Sequence, residues 1–220
     1  MATLYIVSTP IGNLGDISKR AVEILNSVDL ILCEDTRVTG HLLHELEISK
    51  KMVAVNDFNE AQKVGFVVGE LQKGINIALV SDAGSPLVSD PGFKVVREVL
   101  ASGFKVESIP GPSAVISALV VSGLPTDKFM FIGYFSKKEG QRKNQIEDLK
   151  KISDIVKTTF ICYESPFRVF ATLGSINEVF GDTYVVVCRE LTKIHEEVLR
   201  GKISEVSPKI KPKGEFVILF

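Results

Sequence analysis

The stretch Ile75-Asn76-Ile77-Ala78-Leu79-Val80-Ser81-Asp82-Ala83-Gly84-Ser85-Pro86-Leu87-Val88-Ser89-Asp90-Pro91-Gly92 decides the fold. Its first six residues form a short apolar run of the kind that makes a buried strand. Phe93 to Leu100, just beyond it, has helical spacing. The loop between them, Ser81 to Gly92, holds three Ser, two Asp, two Gly and two Pro, and it lies where an α/β protein receives a ligand, at the carboxyl end of a strand. Glycine lets a ligand approach the backbone and proline stiffens the loop. The last residues read as a helix start, with Asp90 as cap and Pro91 in the first helical position.

The same pattern recurs on either side. Leu4 to Val7 reads as a strand, followed by the small-residue loop Ser8-Thr9-Pro10-Ile11-Gly12-Asn13-Leu14-Gly15-Asp16. A helix from Ile17 to Asn26 follows, with Asp16 as its expected cap. The loop has neither G-x-G-x-x-G nor a Lys-Ser/Thr ending, so a dinucleotide fingerprint and a nucleotide P-loop are both excluded. Asp29 to Cys33 is a second strand, ending in Glu34-Asp35-Thr36-Arg37, and a helix through Leu42, Leu43 and Leu46 comes next. Met52 to Val55 is a third strand, leading through Asn56-Asp57-Phe58-Asn59-Glu60 into a helix from Ala61 to Leu71. Lys105 to Ile109 is a fifth, closing in Pro110-Gly111-Pro112-Ser113-Ala114 and a helix from Val115 to Val121. Strands alternating with helices imply a parallel sheet covered on both faces, with the three Gly/Pro loops converging on one edge.

The pattern changes near Gly123-Leu124-Pro125-Thr126, which divides the chain into an N-terminal α/β domain, 1–112, and a C-terminal α/β domain, 113–220. Strands are expected at 128–135, 156–163, 182–188, 195–200 and 215–220, with a helix to Lys151 opened by the basic loop Lys137-Lys138-Glu139-Gly140-Gln141-Arg142-Lys143. Fewer helices per strand point to a mixed sheet.

Composition bounds the function. The chain has 220 residues and net charge −1, so no global basic field announces nucleic acid, although the second half is the more basic. Cys33, Cys162 and Cys188 each lie in an apolar run and form no CxxC pair, which argues against a zinc ribbon or disulfide framework and suits a reducing cytoplasm. Neither a signal peptide nor a membrane span is expected. His41 and His44 lie three apart on a helix without a third ligand, so no metal site is expected.

Seven motifs occur in a fixed order: Thr9 to Asp16, Glu34 to Arg37, Ser81 to Gly92, Pro110 to Ala114, Ser122-Gly123-Leu124-Pro125, Tyr163-Glu164-Ser165-Pro166 and Arg189-Glu190-Leu191-Thr192-Lys193. In this the chain closely resembles the bacterial 16S rRNA (cytidine-2'-O)-methyltransferases of the tetrapyrrole methylase superfamily, from Leu4 to Phe220. The resemblance implies a two-domain tetrapyrrole-methylase-like fold with a ligand cleft between the domains. It implies S-adenosylmethionine as cofactor, a homodimer, and 16S rRNA or the 30S subunit as partner. The family usually carries His where this chain has Phe58 and Phe167, so a mechanism using those imidazoles is weakened; Phe167 would either pack in the core or stack on a base.

On this reading Pro10, Ile11, Gly12, Asp82, Ala83, Gly84, Val88, Ser113, Ala114 and Tyr163 are the expected cofactor-binding residues. The poorly acidic ribose hydroxyl calls for a general base. Glu60 and Glu164 are the expected bases, with Arg37 and Lys193 beside them in the catalytic set. Glu34 and Asp35 are further acceptor-side candidates. RNA would meet Arg37, Lys137, Lys138, Arg142, Lys143 and Arg168, with Lys209, Lys211 and Lys213 as further basic candidates. The alternatives are a tetrapyrrole methyltransferase of the same superfamily and a non-catalytic module that binds the donor or RNA.

Overall fold

The computed structural model describes residues 2–220. The chain forms two compact units, Met1–Ser113 and Ala114–Phe220.

The first unit is a five-stranded, wholly parallel sheet in the order β3-β2-β4-β1-β5. The strands are β1 (Thr3–Val7), β2 (Leu30–Cys33), β3 (Lys51–Ala54), β4 (Ile77–Leu79) and β5 (Lys105–Ile109). They are joined by α1 (Lys19–Ser27), α2 (Thr36–Glu45), α3 (Glu60–Gln72) and α4 (Phe93–Ala101). Alternation along each strand sends side chains to two cores. Leu4, Leu30, Leu32, Ile77 and Leu79 pack under Val67 and Leu71 of α3 and Val95 and Val99 of α4. Ile31, Cys33, Ala78 and Val80 pack against Ala21 and Leu25 of α1 and Leu43 of α2. Strands buried on both faces explain why these runs are almost continuously apolar.

In this order, β2 and β4 are neighbours whose connections leave in opposite directions, β2 toward β3 and β4 toward β5. An open parallel sheet has its ligand crevice at such a point, outside the carboxyl ends.

Two helix starts differ from expectation. Ser18, not Asp16, caps α1, its hydroxyl accepting from the Ala21 N–H at 3.1 Å. Asp16 instead closes a short 3-10 turn, Leu14–Asp16. At α4 the cap residue is Gly92 (φ +125°), not Asp90. The first N–H groups of α4 are satisfied from a distance: Glu60 Oε1 accepts from Gly92 at 3.1 Å, Lys94 at 2.6 Å and Val95 at 3.4 Å. A carboxylate suits the positive end of a helix dipole, and α3, which carries Glu60, packs beside α4, so a tertiary contact displaces the local cap.

The second unit is a mixed sheet in the order β6-β7-β10-β8-β9. Its strands are β6 (Phe129–Tyr134), β7 (Thr159–Glu164), β8 (Tyr184–Arg189), β9 (Glu197–Lys202) and β10 (Phe216–Leu219). Only β6 and β7 are parallel; β10 inserts antiparallel between β7 and β8. One core joins Phe160, Cys162, Val185, Val187, Phe216 and Ile218 to α6 (Glu139–Ile155), α7 (Val169–Phe180) and α8 (Ile203–Val206). The apolar helix α5 (Ala114–Ser122) packs on β7 and β10. The sequence reading missed α7, although Val169, Leu173, Ile176 and Phe180 carry its helical spacing. Arg200, also missed, donates from Nε to the carbonyls of Val121 (3.2 Å) and Ser122 (3.3 Å) at the end of α5.

Glu60→Ala leaves the first turn of α4 without its acceptor. It should cost about 2 kcal/mol of stability, read as a lower urea midpoint with unchanged slope.

Candidate functional site

In the first unit the three small-residue loops clamp one another at the carboxyl edge. Thr9 and Gly84 exchange backbone hydrogen bonds, 2.9 Å from the Thr9 N–H to the Gly84 carbonyl and 3.1 Å in return. The Thr9 hydroxyl donates to the Ser81 carbonyl at 3.2 Å. Ser8 and Ser85 share a hydroxyl contact at 3.1 Å, and Ser85 donates to the Pro112 carbonyl at 3.3 Å. Small residues are required here by space. A Cβ on Gly111 would lie 2.9 Å from that of Ser8, and one on Gly84 (φ +84°) would lie 3.2 Å from Ile11 Cγ2. Leu87 and Ser89 hold the left-handed conformation (φ +70° and +66°), backbone strain of the sort concentrated at functional sites. The expected donor residues Pro10, Ile11, Gly12, Asp82, Ala83, Gly84 and Val88 all belong to two of these joined loops, and Ser113 follows the third.

Beside the clamp, at the divergence of β2 and β4, the carboxylates Glu34, Asp35, Asp82 and Asp90 influence one another electrostatically. Asp82 Oδ1 accepts from the Asp35 N–H at 3.1 Å, tying the β4 loop to the β2 loop. Asp35 caps α2 and pairs with Arg37, whose hydrogen bonds lower its carboxyl to about 2. Burial raises the other three. Asp90, no longer a cap, is pushed up to about 6 by burial, against a hydrogen bond from Ser81. Asp82 and Glu34 rise for the same first reason. Sequence reading placed Asp90 at the helix end, so its role here was missed.

In the second unit Tyr163 lies half-buried at the end of β7, its ring 4.8 Å from that of Phe131 and 5.7 Å from that of Tyr134. Lys193 is held by Glu190 (3.0 Å) and Glu215 (2.8 Å). Ala114 opens α5. Lys137 and Lys138 are exposed just before α6, and Lys143 is paired with Glu178 at 3.1 Å.

Four expected residues have other work. Glu60 is buried as the α4 cap described above. Glu164 is fully enclosed: Oε1 accepts from the Ser165 N–H (2.7 Å) and Arg168 Nε (2.8 Å), Oε2 from Arg168 Nη2 (2.8 Å) and the Thr172 hydroxyl (2.6 Å). Four donors on two oxygens leave no place for a substrate proton, so neither carboxylate fits the expected base. Arg168, committed to this network and to the Phe135 carbonyl at 2.9 Å, is not a free phosphate ligand. Arg142 is 6% exposed and donates to Ser175 at 2.9 Å, so it braces α6 on α7 rather than meeting RNA. The three cysteines are core residues whose thiols burial pushes upward, that of Cys188 to about 12. Among the described residues no group of His, Cys, Asp and Glu could hold a metal ion.

A parallel α/β unit followed by a mixed α/β unit is an architecture that this chain shares with solved proteins of one fold. The chain belongs to the tetrapyrrole (corrin/porphyrin) methylase family, whose model matches residues 3–207. It is 42% identical over 222 residues to the ribosomal RNA small subunit methyltransferase I of Thermotoga maritima, covering 100% of this chain and 98% of that protein. It is 47% identical to the protein of the same name from Vibrio cholerae, covering 98% and 76%. In fold it resembles a cobalt precorrin-4 methyltransferase (TM-score 0.69, 17% identity, 99% and 94% covered) and the uroporphyrin-III-C-methyltransferase of Thermus thermophilus (TM-score 0.65, 16% identity, 100% and 94% covered).

Glu164→Gln leaves the mostly enclosed Arg168, 19% exposed in its side chain, uncompensated and should lower stability by about 3 kcal/mol, measured by urea unfolding. Asp90 acts in the opposite sense. Its folded value lies above the ordinary 3.8, so the native state binds the extra proton and stability falls as pH rises from about 4 to about 6. Asp90→Asn should therefore stabilise the protein by about 1 kcal/mol at pH 7.5, after discounting solvent screening. The gain should vanish near pH 4 in thermal melts.

Proposed function

We propose that the chain transfers a methyl group from S-adenosylmethionine to the ribose 2'-hydroxyl of a cytidine in small-subunit rRNA. The observation that carries this is identity of 42–47%, over nearly the whole chain, to proteins named for methylation of that RNA. We further take it to act as a cytoplasmic homodimer. Among the described residues no helix is long and apolar enough to cross a membrane.

The residues at the first unit's carboxyl edge suit the donor. Gly84 and Gly111 let the loops approach closely, since a Cβ on either would meet Ile11 or Ser8, and so leave backbone rather than side chains at this edge. Backbone groups there can bind adenosine without side-chain bulk. Pro10, Ile11, Gly12, Asp82, Ala83, Gly84, Val88 and Ser113 are the donor candidates of the first unit; Ala114 and Tyr163 are the candidates of the second. The acidic residues Glu34, Asp82 and Asp90 suit the donor's positive charge. S-adenosylmethionine supplies an electrophilic methyl on a sulfonium; the protein's part is to align it with the hydroxyl and to take a proton.

With Glu60 and Glu164 committed to structure, Asp90 is the better general base. Its carboxyl is half-buried, sits near pH 6 and caps no helix, and a base works best when its pKa approaches the working pH. Arg37, 89% exposed in its side chain, is the candidate to meet an RNA phosphate, and Lys193 the candidate to assist on the acceptor side.

Labelled S-adenosylmethionine incubated with small ribosomal subunits that lack the modification should yield labelled 2'-O-methylcytidine on nucleoside analysis. Asp90→Asn should lower turnover at least tenfold with donor affinity little changed. Label in a tetrapyrrole and none in RNA would move the assignment to a small-molecule methylase.

A further inference from the structure

Phe167 is 96% exposed, so the core is not its place. It belongs to no hydrophobic cluster of the second unit, although Val169, two residues on, is a core member. Phe170, one turn further along, is 48% exposed. That exposure leaves the face of the Phe167 ring open to an incoming group.

The loop is rigid. Arg168, next in sequence, donates from Nε and Nη2 to Glu164 and again from Nη2 to the Phe135 carbonyl. The N–H groups of Arg168 and Val169 both bond the Ser165 carbonyl at 3.1 Å. With residues 165, 168 and 169 fixed, Phe167 is directed away from the core.

The Phe135 contact also joins this loop to the one after β6, its parallel neighbour in the sheet. That second loop carries Lys137 and Lys138, both exposed. It is itself braced: the Ser136 N–H donates to Gln145 Oε1 at 2.9 Å and the Ser136 hydroxyl to Gln141 Oε1 at 2.8 Å. So one carboxyl edge presents an exposed aromatic ring and two lysines on loops fastened to each other.

We infer that Phe167, with Lys137 and Lys138, forms a stacking platform for an unpaired base of the RNA substrate. The lysines meet the flanking phosphates and the ring takes a nucleobase face. Stacking of unstacked bases on aromatic side chains is the common way single-stranded RNA is held, and backbone charge supplies the rest. The platform is a positioning device: it holds the strand and performs no chemistry. This inference rests on the rRNA reading above.

The chain contains no tryptophan, so Phe167→Trp installs a single reporter on the platform. Ile155→Trp, at an 87% exposed position, is the control; it lies at the far end of α6, about 25 Å of helix from the lysines. Binding is measured to transcribed small-subunit rRNA and to small subunits lacking the modification. Phe167→Trp should keep the wild-type affinity and its fluorescence should be quenched by RNA, while the Ile155→Trp signal stays constant. Phe167→Ala should weaken binding about five- to 100-fold, the range of one lost base stack. It should raise KM more than it lowers kcat. Replacing Lys137 and Lys138 together by Ala should reduce the slope of log Kd against log salt by about 1–2.

Wild-type affinity in Phe167→Ala with an unquenched Trp at 167 would overturn the platform while leaving the rRNA reading intact. A change of oligomeric mass in Phe167→Ala, read by sedimentation, would assign the ring to a protein interface and overturn it too. Failure of the wild-type protein to bind either RNA would overturn the rRNA reading and the platform with it.

Discussion

Two hydrogen bonds between Thr9 and Gly84 hold together the carboxyl edge of the first sheet. They join the loop after β1 to the loop after β4, and Ser85 extends the link to Pro112 after β5. Loops this close demand small residues, since a Cβ at Gly111 would collide with Ser8. The Gly, Ser and Pro content of these stretches is thus a packing requirement. Rigid loops also let a site select its ligand without an ordering cost at each binding event.

The distribution of carboxylates separates structure from chemistry. Glu60 and Glu164 are enclosed, Glu60 with Oε1 given to a helix start and Glu164 with both oxygens given to donors that include Arg168. Each oxygen spent on a backbone N–H or a guanidinium is unavailable to a substrate. Asp90 shows the converse. Because Glu60 relieves it of capping, Asp90 remains half-buried among other acids with its carboxyl raised to about 6. That arrangement costs stability near neutral pH, a cost that proteins commonly carry at reactive sites.

The second unit applies the same economy to cations. Arg142 is absorbed into the interior, and Arg168, Lys143 and Lys193 into ion pairs. Lys137 and Lys138 remain at the surface, with the exposed ring of Phe167 on the adjoining loop. A run of basic residues in the chain thus divides by depth once it folds.

Local pattern by itself determined much of the architecture. Apolar runs such as Ile77 to Val80, alternating with helical spacing, implied a parallel sheet, and the three Gly/Pro loops implied one converging edge. These features depend on backbone propensity and burial, which neighbouring residues report. The ordered motifs likewise placed the chain in its family. Only the tertiary structure decided what individual charged side chains do. Asp90 followed by Pro91 is a sound local cap signal, yet Glu60, 30 residues earlier, displaced it. Glu164 and Arg142 look in sequence like surface charges, and only the packing of α6 and α7 shows them buried. A side chain's partner is set by distance in space, and the packing of whole elements fixes that distance.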